Sequence, residues 1–255
     1  MDHNLRINLA SGAIVGAIAL GVSLVVSVTV ASWSYRERGR FQDRRDQTLT
    51  AKGSARQRVV SDLGVWKITT SGEAPALPDA FAVLDASQSR VTEFLASAGF
   101  SPSEIEMSAI RTQTHHGRDA KGIESREVVG YTLSRNLTIT SAAVNRIAAA
   151  TGAITGLLKQ GVMVNSEVPE YFYSKLSDVK VSILGDASRD AHVRAAEVAR
   201  SVGSAVGEVR SVSMGPLQVV QPNSTEVSAG GVYDTATINK DVTAVVTVTF
   251  AVSRP

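Results

Sequence analysis

Cysteine is absent from all 255 residues. That excludes disulfides, thiol nucleophiles and Cys-ligated zinc or iron–sulfur centres. Aromatic residues are only 5% of the chain, so a core has to be built from the Val, Ala, Ile and Leu of its 44% hydrophobic fraction. Charge of one sign is equally scarce: 26 Lys+Arg against 24 Asp+Glu leave a formal net charge of +2. Such a balance makes no case for nucleic acid, which calls for clustered Lys/Arg with interleaved aromatics. The phosphate-cradling patterns Gly-x-x-x-x-Gly-Lys-Ser/Thr and Gly-x-Gly-x-x-Gly do not occur. Neither do the Gly-x-Ser-x-Gly elbow and the His-Glu-x-x-His metal motif. No catalytic residue, cofactor-binding residue or metal ligand is therefore assigned, and no cofactor is expected.

One long stretch is free of charge. Residues 7–35, INLASGAIVGAIALGVSLVVSVTVASWSY, carry none. Ile7 to Val30, as a helix rising about 1.5 Å per residue, extends about 36 Å. A hydrocarbon core of about 30 Å is covered by that length. Gly12 and Gly16 stand in small-xxx-small spacing and are the candidate packing residues of the span. Trp33 and Tyr35 suit an interfacial aromatic anchor. A cleaved signal peptide is the rival reading, with Thr29-Val30-Ala31 as its cleavage site, but its apolar region is usually about 7–15 residues. The expected organisation is a stub and transmembrane anchor at 1–35, a charged juxtamembrane linker at 36–47 and one domain at 48–255. The membrane is contacted through residues 7–33. One Arg precedes the span and Arg36, Arg38, Arg40, Arg44 and Arg45 follow it. Counted alone, they place the C-terminal side in the cytoplasm.

Beyond the linker the pattern changes with position. Residues 48–70 alternate with period two, broken at Ser61-Asp62-Leu63-Gly64, which predicts strand, turn, strand. Residues 77–98 repeat apolar groups at Leu77, Phe81, Leu84, Val91 and Leu95, a helix with Pro78 and Asp79 in its first turn and Gly99 at its end. Strands are predicted at 104–114 and 126–140, joined by a charged loop at 115–125. A second helix is predicted at 141–160, with Ser141 as N-cap. Residues 162–173 read as an edge or connecting strand, since Pro169 cannot donate to a ladder and argues against a central position. Val179, Ile183, Ala187, Ala191, Ala195, Val198 and Val202 mark a third helix from Leu176 to about Val202, in which Gly185 is a weak point. Strands at 208–220 and 238–253 flank a polar loop at 222–236. Strands before and after helices, joined by hairpins, predict an α+β domain of largely antiparallel sheet with about three helices.

Residues that invite a chemical reading have plainer ones beside them. His115 and His116 are adjacent, and neighbours on a strand face opposite ways. Asp178, Asp186 and Asp190 lie on a helix surface as solubilising charges. His192, Arg194, Glu197 and Arg200 fall off the apolar stripe. Asn136-Leu137-Thr138 and Asn223-Ser224-Thr225 match glycosylation sequons, the first in mid-strand. Glu170-Tyr171-Phe172-Tyr173 is the densest aromatic cluster. It serves either as a plug where strand meets core or as a subunit contact through Tyr171, Phe172 and Tyr173, since aromatics are favoured at interface cores.

Four pieces resemble the SIMPL-domain family of bacterial envelope proteins: LTAKGSARQRVVSDLGVWKITT, LASAGFSPSEIEM, VVGYTLSRNLTITS and DASRDAHVRAAEVARSVGSAVGEVRSVS. Together they cover about residues 48–253. The pattern departs at Gly64-Val65, where the family often has Ala, and in the long loop 222–236. The resemblance implies an α+β domain on the outer side of a bacterial cell (inner) membrane, against the arginine count. It implies a secreted or anchored protein, some of whose relatives form ring or channel-like oligomers, and it carries over no catalytic residue. The expected function is a non-enzymatic, single-pass envelope protein whose extracytoplasmic domain self-assembles as a homo-oligomer. The alternatives are a tethered ligand- or stress-sensing binding module, with loops 115–125 and 222–236 as contacts and the small-molecule ligand unknown, and a hydrolase using scattered His and Asp residues, with His115, His116 and His192 as its visible candidates.

Overall fold

The computed structural model describes Gly21, Ser23 and residues 25–33, 47–118, 122–226 and 228–253. The chain folds as two compact units. The smaller comprises Met1–Gly53, Ala191–Ser213 and Thr247–Pro255, and the larger comprises Ser54–Asp190 and Met214–Val246. In chain order the elements beyond the linker are β1 (Thr48–Val60), β2 (Leu63–Ala74), α1 (Leu77–Ser97), β3 (Ile105–Met107), β4 (Arg111–Arg118), β5 (Glu124–Ser141), α2 (Val144–Ala153), β6 (Val164–Ser166), β7 (Glu170–Phe172), α3 (Leu176–Ser201), β8 (Ala205–Met214), β9 (Gln218–Val220), β10 (Val232–Tyr233) and β11 (Asn239–Ser253). The class is α+β. Of the expected span at 7–35, Gly21, Ser23 and residues 25–33 are helical; the rest, Gly12 and Gly16 included, lies outside the described residues, as does most of the linker. Among the described residues no helix is long and apolar enough to cross a membrane. Within the helical piece Ser27, Thr29 and Ser32 donate their hydroxyls back to carbonyls one turn earlier, at Ser23, Val25 and Val28.

Two sheets form. One has the order β1-β11-β9-β10, with β8 also on β11; the other has β3-β5-β2-β6, with β4 also on β5 and β7 also on β2. The predicted opening hairpin does not exist, because β1 and β2 enter different sheets. At the joint, Ser61 N–H donates to the Ile238 carbonyl at 2.8 Å and Asp62 N–H to that of Phe172 at 3.0 Å. The Asp62 carboxylate accepts the Ser174 N–H and hydroxyl, each at 2.7 Å. Distant segments thus hold the backbone that a hairpin turn would have closed on itself.

In the larger unit β2 is the centre of its sheet, antiparallel to β5 over Gly64–Ala74 and to β6 and β7 on its other side. It alternates strictly, and Trp66 and Ile68 join Val91, Leu95, Leu137, Ile139 and Ile147 in one buried cluster. The Trp66 indole N–H donates to Ser166 Oγ at 2.9 Å, so its one polar atom is satisfied. Helix α1 lies directly on Gly72. A Cβ there would come within 2.4 Å of the Ala80 carbonyl oxygen and of the Leu84 nitrogen. That closeness corrects the predicted stripe. The buried positions of α1 are Ala80, Leu84, Ser87, Val91 and Leu95, while Leu77 and Phe81 stay exposed. With backbone against backbone, only a small side chain fits at residue 80, and the bulky Phe81 is turned outward. Gly99, at φ 87°, ends the helix, with Phe100 N–H reaching back to the Leu95 carbonyl at 3.0 Å.

Several predicted elements are broken or shifted. The strand at 104–114 is two, β3 and β4. Ser108 interrupts it: its N–H donates to the Asn136 carbonyl at 2.9 Å, and its Oγ accepts the Asn136 N–H at 3.1 Å. The loop at 115–125 is shorter, since β4 runs to Arg118 and β5 begins at Glu124. The helix at 141–160 is α2 followed by a 3-10 segment, Ile154–Gln160. Ser141 closes β5, where its hydroxyl donates to Glu104 and accepts the Ala143 N–H. Its N-cap role falls to Ala143. The strand at 208–220 is β8 and β9, parted by Gly215-Pro216-Leu217. Pro169 separates β6 from β7, which keep the edge position expected of that stretch.

Helix α3 has nearly its predicted length. Val179, Ile183 and Ala187 are buried in the larger unit, and Ala191, Ala195 and Ala199 in the smaller. Val198 and Val202 are exposed, so the strict four-residue spacing of alanines continues at Ala199 instead.

Candidate functional site

Of the two outermost elements of the larger unit's share of the β11 sheet, β9 is buried and the chain after it is not. Gln218, Val219 and Val220 pair antiparallel with Thr243, Val242 and Asp241. Alternation therefore sends Val219 and Val242 to one face and Gln218, Val220, Asp241 and Thr243 to the other. Arg56 and Arg58 of β1 reach this second face. Arg58 holds Asp241 through both oxygens, at 2.9 and 3.2 Å. The Asp241 side chain is only 2% exposed. The hydrogen bonds from Arg58 keep its carboxyl below the usual range, and they raise the Arg58 guanidinium in turn.

The loop after β9 is tied down over that face at two places. Asn223, in the left-handed region at φ 65°, donates its N–H to Asp241 Oδ2 at 3.3 Å. Buried Gln218 reaches the loop's other half: its Nε2 donates to the Ser228 carbonyl at 2.8 Å and its Oε1 accepts the Ser228 N–H at 3.4 Å. The side-chain amide thus imitates a strand pair. Gly231 follows at φ 88°, within 3.0 Å of the Leu217 carbonyl had it a Cβ. β10 then pairs parallel with β9.

Between strap and sheet lies a concavity of about 490 Å³. Its floor is Arg56, Gln218, Val220, Thr243 and Val245, and its loop side includes Thr225, Glu226 and Ala229. The accessible wall is mostly apolar. Its size falls within the roughly 300–1,000 Å³ of small-molecule pockets. Arg56 approaches Asp241 only to 3.8 Å, longer than a hydrogen bond, and its side chain is 54% exposed.

A second buried charge fixes the base of the loop. Lys240 is fully buried, and its Nζ donates to the Asp234 and Thr237 carbonyls at 2.6 and 2.5 Å, with Asp234 Oδ2 at 3.5 Å. Burial lowers the Lys240 ammonium and the Asp234 charge opposes that. Burial alone would raise the Asp234 carboxyl, but bonds from Thr237, the Ala236 N–H and Lys240 leave it below its ordinary value.

Residues singled out from the sequence are scattered. Tyr171 is buried in the β2 core, while Phe172 and Tyr173 are half-buried. The Phe172 ring stacks with that of Tyr233, centroids 6.4 Å apart. His115 Nε2 lies 2.7 Å from Thr132 Oγ1, and irregular pairing separates it from exposed His116. In the smaller unit His192 sets its ring edge-on to Phe250 at 5.6 Å. Asp190 accepts the Ser54 N–H at 2.8 Å, Arg189 pairs with Asp186 and Arg200 with Glu197. Asn136 is bonded to Thr69 within its ladder. No group of three or more His, Asp or Glu among the described residues is placed to hold a metal ion. The loop side of the strapped concavity falls within 222–236, the loop expected as a ligand contact, whereas its floor uses residues the sequence reading passed over. One signal was there: Lys240-Asp241 is an abrupt charged pair opening the apolar run of β11.

No curated protein matches the chain. Solved structures show weak likeness. An amidase of the hydantoinase/carbamoylase family from Burkholderia phymatum is 17% identical, over 48% of this chain and 30% of that one, at TM-score 0.28. A second such amidase, from Burkholderia multivorans, is 15% identical over 52% and 31%, at 0.22. A putative aminohydrolase from methicillin-resistant Staphylococcus aureus is 14% identical over 48% and 31%, at 0.24. The chain spans under a third of each, and at these scores the likeness carries no argument about fold or activity. A family profile does match, over residues 49–250, which takes in the strapped concavity, both sheets and all three helices beyond the linker. This chain belongs to the SIMPL family, described as proteins of unknown function (DUF541).

Proposed function

We propose that the protein is a non-enzymatic, membrane-anchored envelope protein whose extracytoplasmic SIMPL domain self-assembles through a strand edge. The observation that carries this is β8. Ten residues long and almost wholly exposed, it has β11 as its one partner strand among the described residues. An edge of about 33 Å, at about 3.3 Å per residue, is left with unpaired backbone groups, a template for another strand. Val209, Val212 and Met214 add exposed apolar surface along it. The occupant is a second copy of the same chain. Half-buried Phe172 and Tyr173 are a further contact, and Gly12 with Gly16 pack the anchors. The single-pass anchor at 7–33 in the cell membrane, with the domain outside, belongs to the same reading.

The test is the mass of the full-length chain in mild detergent by light scattering. A uniform oligomer that falls to monomer with Val209→Lys plus Val212→Lys supports it. A monomeric wild type, or an oligomer indifferent to the two lysines, sinks it.

A second reading, a tethered ligand-binding module, is favoured by the strapped concavity beside Arg56.

A further inference from the structure

The concavity has an unbalanced polar inventory. Gln218, the amide on its floor, is used up by Ser228. Asp241 is used up by Arg58 and the Asn223 N–H. Arg56 lines the space with its guanidinium beyond hydrogen-bond reach of Asp241. Around it stand Val220, Val245, Ala229, Pro216 and Thr243. A guanidinium beside an apolar wall is strongest with a planar anion, which it can bind through two parallel N–H bonds.

Resting on the ligand-binding reading, we propose that this concavity binds a small apolar monocarboxylate, its carboxylate on Arg56 and its apolar body against Val220, Val245 and Ala229. A cationic ligand would face the Arg56 guanidinium that lines the space. A phosphate-like dianion would meet the Glu226 carboxylate on the loop side with twice the repulsion of a monoanion and only Arg56 to offset it. A neutral ligand would cover Arg56 without replacing its water, which is costly. One negative charge on an apolar body meets all three constraints, and a cavity of about 490 Å³ holds a ring with a short chain.

The probe is 3-(4-fluorophenyl)propionate, with the matching amine and alcohol, added to full-length protein in lipid nanodiscs and read by fluorine NMR line width against empty discs. The acid is expected to bind, Arg56→Gln to weaken it at least tenfold, and the amine to fail. Thr243→Trp, or Val245→Trp should the first not fold by circular dichroism, is expected to abolish binding. If amine or alcohol binds as well as the acid, with Arg56→Gln neutral but the Trp variants blocking, the carboxylate assignment falls and the binding module stands. If no probe binds, or the Trp variants leave binding intact, both fall.

Discussion

Arg58 and Asp241 are joined by two hydrogen bonds at 2.9 and 3.2 Å, the acid buried and the base open to solvent. Because the folded carboxyl is held below its unfolded value of about 3.9, the pair's contribution is present above that value. It is lost as pH falls through the lower, folded one. Asp234 is shifted the same way. Wild type is expected to lose stability steeply below about pH 4, and Arg58→Gln, weaker already at pH 7, less steeply. Urea unfolding from pH 3 to 7 checks this, and parallel curves for the two proteins refute it.

Gly72 and Gly185 predict opposite outcomes for the same substitution. Gly72→Ala forces a Cβ into α1 backbone that cannot move aside alone, at an expected cost of about 2–3 kcal/mol. Gly185 lies exposed in the middle of α3 with nothing within 4 Å of the added atom. Gly185→Ala is expected to stabilise by about 0.5–1 kcal/mol through helix propensity. Thermal melting of both variants decides it: a Gly72→Ala that melts no lower than wild type contradicts the packing described for α1, and a destabilised Gly185→Ala contradicts the open position given to Gly185.

Lys240→Met removes the donor that two carbonyls and a carboxylate share. The lost bonds are expected to cost about 1–3 kcal/mol. Hydrogen exchange is expected to rise first in residues 234–239 while β2 stays protected. Equal loosening of both regions would mean that Lys240 supports the whole unit rather than the base of the loop.

Much of the fold was legible because its signals are local. Period-two alternation marked β2, strand patterning placed β5 and β11, and the four-residue alanine spacing marked α3, since these follow from where a side chain points along a regular backbone. Proline and glycine marked the ends of α1 and the edge position of β6 and β7. What failed depended on partners far along the chain. Leu77 and Phe81 fit a helical stripe by spacing, and only the missing Cβ at Gly72 shows why the small Ala80 faces the sheet instead. The breaks at Ser108 and Ser141 come from side-chain oxygens standing in for backbone partners, which strand or helix patterning does not register.

The sequence by itself determined the α+β class, the lack of cysteine chemistry and the positions of most helices and strands, because composition and periodicity are properties of neighbouring residues; its motifs carried the resemblance to the family. Tertiary structure alone decided that β1 and β2 part into different sheets, and that Arg58 meets Asp241 across 183 residues. It alone decided that Gln218 straps a loop over an apolar hollow beside Arg56. Those contacts join segments whose separation is set by the path of the whole chain, and no local pattern encodes that path.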